Sequence, residues 1–95
     1  MHETGIVREV VRRLLRAASE AGAQSVSDVR VWLGALCQFS PEHFREHFNE
    51  ETRGTAAACA QLHITVSHDL RDPNAQHVVL QSVEFEVPDE GSGSQ

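Results

Sequence analysis

The sequence predicts an α+β domain, with two helices packed on a small three-stranded mixed sheet in the order α-β-α-β-β. Three observations carry this reading. Apolar residues recur at helical spacing from Ile6 to Ala18. Three later stretches, around Val29, Ile64 and Phe85, switch to alternation. Between the first two of these lies the helix-start signature Phe39-Ser40-Pro41-Glu42.

In the first element, Ile6, Val7, Val10, Val11, Leu14, Leu15 and Ala18 form one apolar stripe, with Arg8, Arg12 and Arg16 opposite. Thr4 or Gly5 is placed to cap its start, and Gly22 stands where a glycine ends a helix. From Val26 to Leu33 the pattern alternates. Val29, Val31 and Leu33 point one way and Asp28, Arg30 and Trp32 the other, as in a half-buried strand ending at Gly34. Ser40 then serves as N-cap, Pro41 as the first helical residue, and Glu42 favours the positive end of the helix dipole. Phe39 and Phe44 have the spacing of a hydrophobic staple, and Phe44 and Phe48 face the core one turn apart. This helix should stop near Thr52, before Gly54.

Leu62, Ile64 and Val66 alternate with His63, Thr65 and Ser67 in a second strand. Arg71-Asp72-Pro73-Asn74 reads as a turn. In a third strand, Val78 to Val87, Val83, Phe85 and Val87 face the core while Ser82, Glu84 and Glu86 face water. The short interval between these two strands suggests a hairpin.

The chain has 95 residues and a net charge of −6, with arginines but no lysine. One domain is expected, without the basic stripe that phosphate-backbone binding to nucleic acid requires. The cluster Arg8, Arg12, Arg13, Arg16 shares its segment with Glu9 and Glu20 and reads as a solvated face, the alternative being a docking surface for an acidic partner. No stretch approaches the roughly 20 apolar residues of a membrane span. Without an apolar leader, Cys37 and Cys59 fit a reducing cytoplasm as buried small hydrophobes, and no CxxC pair exists. A Cys37 nucleophile would need a paired base that the sequence does not offer, so no enzyme is expected.

The chemistry-bearing candidate is the start of the chain. His2 is exposed by position. A bulky second residue leaves Met1 in place, with a free α-amine of reference pKa about 7.7–8.0. An α-amine, the next peptide nitrogens and an imidazole can wrap one metal in a nitrogen plane, a geometry that selects Ni(II) or Cu(II). A tripeptide this short also occurs by chance.

Its context adds to it. Met1-His2-Glu3 is followed by the amphipathic helix, then Val31-Trp32-Leu33-Gly34-Ala35-Leu36, Ser40-Pro41-Glu42, Phe44 and Phe48, Thr52-Arg53-Gly54-Thr55 and a strand. In order and spacing this run resembles the HypA/HybF family of hydrogenase nickel-incorporation proteins, over roughly Met1 to Val66, with Val78 to Val87 similar to the family's closing strand. The resemblance implies a cytoplasmic nickel metallochaperone that delivers Ni(II) to a nickel enzyme in [NiFe]-hydrogenase maturation. Its implied partners are a HypB-like maturation GTPase and the hydrogenase large-subunit precursor. It also implies that the metal is held by the Met1 amine, the amide nitrogens of His2 and Glu3 and the His2 imidazole, with the Glu3 carboxylate supporting those ligands.

The chain departs from the family between its last two strands. The family carries a zinc domain there, built from two CxxC pairs, whereas His68 to His77 contains no cysteine. The expectation is therefore a HypA-like nickel-binding domain over residues 1–87 without zinc insertion and without structural zinc, and a flexible tail over 88–95. Two histidine pairs are secondary metal candidates. His43 and His47 lie at i, i+4 on one helix face near Glu46, and the alternative is a solvated face. His68 and His77 bracket the short turn and would oppose each other in a hairpin, with Asp69 or Asp72 near; the alternative is ordinary hairpin residues. The rival to nickel delivery is a metal-free scaffold of a nickel-enzyme maturation complex, docking through its first helix.

Overall fold

The computed structural model describes residues 3–88, with side chains from Gly5 onward. Met1, His2 and residues 89–95 of the expected tail lie outside the described residues. The element order is that predicted: α1 (Glu3–Glu20), β1 (Ser25–Leu33), α2 (Pro41–Thr52), β2 (Gln61–Val66) and β3 (Val78–Glu86).

Helix α1 buries Val7, Val10, Val11, Leu14 and Ala18 and exposes Arg8, Arg12 and Arg16. It starts at Glu3, so Thr4 and Gly5 lie within its first turn and neither is the cap expected from the sequence. Its other end closes as expected. The Gly22 amide donates to Ser19 O at 3.1 Å and the Ala23 amide to Ala18 O at 2.9 Å, with Gly22 at φ +70°. This double bond pattern needs a left-handed residue, which glycine adopts without a Cβ clash.

Helix α2 is fixed by its N-terminus and by its aromatic face. The Ser40 hydroxyl accepts from the His43 amide at 3.1 Å, Pro41 follows, and the Phe39 and Phe44 rings meet edge-on with centroids 5.4 Å apart. Phe44, Phe48 and Thr52 are buried, and the Thr52 hydroxyl donates to Phe48 O at 2.9 Å, so its one polar group is satisfied. Each phenylalanine contributes on the order of 1.5–3 kcal/mol by leaving water.

The sheet order is β2-β1-β3. This corrects the expected hairpin: β2 and β3 do not pair but occupy opposite edges of β1. The β1–β2 pairing is parallel, with Val29 beside Leu62 and Val31 beside Ile64, and α2 makes the crossover that a parallel pair requires. The β1–β3 pairing is antiparallel.

Two register shifts make the apolar pattern fit. Ser27 is the extra residue between the Val26–Phe85 and Asp28–Glu84 pairs, and Gln81 is extra between Arg30–Ser82 and Val31–Leu80. Each shift resets the alternation. Val26 thereby joins Val29, Val31 and Leu33 in the core, and Val78 and Leu80 pack on the same side as Val83 and Phe85. Val87, expected to face the core, lies beyond the end of β3 and is 57% exposed, because no strand partner remains there to cover it.

The chain crosses from β2 to β3 over the end of β1. The Ser67 amide donates to Leu33 O at 2.9 Å, the Gly34 amide to His77 O at 2.9 Å, and the Leu36 amide to Ala75 O at 2.7 Å. The Asp69 and Asp72 carboxylates accept from the amides of Arg71 and Asn74, forming successive tight turns where the sequence places one.

Candidate metal centre

Of the primary nickel candidates, Met1 and His2 lie outside the described residues, as does the Glu3 side chain. What is described is their attachment: Glu3 is the first residue of α1. The first four amides of a helix have no intrahelical acceptor, so the Glu3 nitrogen is not committed to the helix's own hydrogen bonding.

Beside these first turns runs a groove of about 510 Å³, lined by Gly5, Ile6, Glu9, Val10 and Arg13 of α1 and by Val78 and Leu80 of β3. Ile6 and Val78 also line a neighbouring hollow of about 340 Å³ with Leu36, Cys37, Phe39 and Gln76. Three of the arginines on this helix have carboxylate partners. Arg12 and Arg13 both bind the Glu9 carboxylate, at 2.8 Å and 3.0 Å, and Arg8 reaches Glu51 of α2 at 3.4 Å. Hydrogen bonds from Arg12 and then Arg13 hold the Glu9 carboxyl below the usual glutamate range.

The two histidine pairs differ. His43 and His47 are brought together on α2, both half-buried, with their Nε2 atoms 3.0 Å apart. His68 and His77 are both exposed, and the hairpin that would set them opposite one another is absent because β2 and β3 lie on opposite sides of β1. The structure also shows a pair that sequence reading missed. His63 Nε2 lies 2.8 Å from Asp28 Oδ1 on the open face of the sheet. The parallel pairing places His63 beside Arg30, and Asp28 is two residues back on the same face. Only the strand order, not the pattern within either strand, reveals that contact.

The cysteines also differ from expectation. Cys59 is exposed on the turn before β2, and Cys37 is half-buried with its thiol 3.8 Å from Phe39 O. Both are free. Among the described residues no group of three or more His, Cys, Asp or Glu is placed to hold one metal. No helix among them is long and apolar enough to cross a membrane.

Comparison with known proteins places this arrangement. The family model described as hydrogenase/urease nickel incorporation, metallochaperone, HypA, matches residues 1–71. The hydrogenase maturation factor HypA of Archaeoglobus fulgidus is 38% identical over 72 residues, which cover 75% of this chain and 66% of that protein. A uroporphyrinogen decarboxylase of Sorangium cellulosum is 47% identical over 49 residues, 52% of this chain but 13% of that much longer protein. The solution structure of the Ni metallochaperone HypA from Helicobacter pylori superposes with a TM-score of 0.75 at 15% identity, covering 93% of this chain and 100% of that one. The fold is thus shared well beyond recognisable identity, and the extent of the family match, starting at residue 1, shows that the chain belongs to the HypA family of hydrogenase/urease nickel-incorporation metallochaperones, not to a family of enzymes.

Proposed function

We propose that the protein binds Ni(II) as cargo at its N-terminus and delivers it to a nickel enzyme, the large-subunit precursor of a [NiFe]-hydrogenase, with a HypB-like GTPase as partner in the cytoplasm. The observation that carries this reading is a family match running from residue 1 over a chain that begins Met1-His2-Glu3. The ligands are the Met1 amine, the amide nitrogens of His2 and Glu3, and the His2 imidazole. That α1 starts at Glu3 supports this set, because deprotonating an amide in the first turn breaks no helix hydrogen bond. Four nitrogens in a plane suit Ni(II). A site built on one end of the chain can be dismantled by a partner without unfolding the domain, which is the property that delivery requires.

The domain formed by residues 1–87 works in this reading without a structural zinc. Metal analysis of the purified protein checks that point, a stoichiometric zinc content being the result against it. The nickel site itself is tested by titrating Ni(II) into protein with an unblocked N-terminus and following the absorption of a square-planar complex. His2→Ala and an N-terminal extension should each abolish that band. If wild type and both altered proteins give the same band, the nickel reading at this site fails, and a metal-free scaffold docking through α1 takes its place.

A further inference from the structure

We propose that His43 and His47 form a second metal site, a two-imidazole clamp on α2 for a divalent first-row transition ion, with ligands other than the N-terminal nitrogens. The geometry carries this. The two Nε2 atoms are 3.0 Å apart while the ring centroids are 4.6 Å apart, so the rings lean toward each other through the nitrogens that would bind. Two metal–nitrogen bonds of about 2.0–2.1 Å at a right angle separate their nitrogens by about 2.9 Å, and a tetrahedral angle by about 3.4 Å. The observed spacing is close to the right-angled value.

The clamp is held in place by its helix. Phe44 and Phe48, fully buried, fix the rotation of α2 and leave His43 and His47, each one residue before a phenylalanine, half-buried at the flank of the aromatic face. The Phe39 ring stands edge-on to His43 at 6.0 Å, and the Ser40 cap anchors the turn that carries it. The pair opens into a surface groove of about 580 Å³ also lined by Glu46, Glu50 and Arg53, so that two carboxylates against one guanidinium leave it with a net negative charge. In the metal-free pair one ring donates its Nε2 hydrogen to the other. Binding moves that hydrogen to Nδ1, which a neutral imidazole accommodates as its other tautomer, and leaves both Nε2 lone pairs to the metal.

The spacing His43-x-x-Glu46-His47 also occurs on the zinc-binding helix of one class of metallopeptidases. Among the described residues no group of three or more His, Cys, Asp or Glu includes the pair, so the clamp itself supplies two ligands. Such a site binds more weakly than a closed one and exchanges freely, which suits loading rather than storage. Phe39, against His43, also lines a hollow with Ile6 of α1, so the clamp and the first turns of α1 belong to the same end of the molecule.

The test uses full-length protein whose N-terminus is blocked by a histidine-free extension, which removes the amine site. Zn(II) and Ni(II) chloride are titrated separately by calorimetry, with the histidine ring resonances followed by NMR for the diamagnetic zinc. The proposal expects one equivalent bound, with His43 and His47 shifted together. His43→Gln and His47→Gln should each weaken binding at least tenfold, with an unchanged circular dichroism spectrum, while His68→Gln and His77→Gln leave it unaltered. Absence of saturable binding to the blocked protein, or binding that survives in the double variant His43→Gln/His47→Gln, overturns it. Because the N-terminal amine is blocked throughout, failure of the nickel reading at Met1 and His2 leaves this result unaffected.

Discussion

Gly34 and Ala75 meet backbone to backbone: the place a Cβ on Gly34 would occupy is filled by the Ala75 carbonyl group, with the Asn74 oxygen 2.6 Å from the same point. The contact lies where the β2–β3 connection crosses the end of β1. It is clamped on both sides, by the Gly34 amide on His77 O and the Leu36 amide on Ala75 O, and Ala75 is buried. A chain that cannot form a hairpin must cross β1 to reach its other edge, and Gly34 is what lets it cross this closely.

Gly34→Ala should therefore destabilise the domain by about 2–4 kcal/mol, combining overpacking with strain on flanking hydrogen bonds. Gly22→Ala is the comparison. Its φ of +70° disfavours a side chain, but nothing stands within 4 Å of the added Cβ, so it should cost only about 1–2 kcal/mol. Urea unfolding of both variants decides the point. A Gly22 variant less stable than the Gly34 variant would mean that the crossover backbone yields easily.

The types of all five elements were legible in the sequence because periodicity, caps and breakers are local. Ser40-Pro41 and Gly22 act within one turn, and the structure has them where the pattern put them. Strand partnership is not local. A short gap before β3 suited a hairpin, yet strand–helix–strand from β1 through α2 to β2 already called for a parallel pair, which uses one edge of β1 and leaves β3 the other. The register shifts at Ser27 and Gln81 are invisible to a period-two reading, since each appears only against its partner strand. For the candidate site, the i, i+4 spacing foretold that His43 and His47 meet, whereas the His68–His77 pairing depended on the hairpin and went with it.

Phe44→Ala should cost about 3–5 kcal/mol, because the ring is fully buried and its loss leaves a cavity. A domain of this size has on the order of 5–15 kcal/mol in total, so this one change removes a large share. Ser40→Ala removes only the cap bond to the His43 amide and should cost about 1 kcal/mol. Thermal unfolding separates the two. Equal losses would show that the N-terminus of α2, not its aromatic face, holds the helix in place.

Glu9 gives a pH prediction whose sign follows from its partners. Its carboxyl is held below the usual range by hydrogen bonds from Arg12 and then Arg13. A depressed folded-state value means stability that is present above the unfolded glutamate value, about 4.3, and is lost as pH falls through the lower folded value. Wild type should thus be slightly more stable than Glu9→Gln at neutral pH and lose that margin in acid. The site is open to solvent, so 1 M salt should erase most of the difference. A margin that persists in acid would assign the effect of Glu9 to packing rather than charge.

Nickel affinity at the N-terminus should rise steeply with pH, and the steepness reports the ligands. Each proton released on binding contributes about tenfold in affinity per pH unit. Below the reference pKa of an α-amine, about 7.7–8.0, that nitrogen gives up one proton, and every backbone amide that joins the metal gives up another. An amine with two amides, as proposed for Met1, His2 and Glu3, therefore predicts a rise well above tenfold between pH 6.5 and 7.5, whereas an amine and imidazole alone come nearer tenfold. The clamp on α2 uses no amide, so its binding should be the less steep of the two. Calorimetry in buffers of differing ionisation enthalpy counts the released protons directly. A count near one at the native N-terminus would remove the amide nitrogens of His2 and Glu3 from the ligand set.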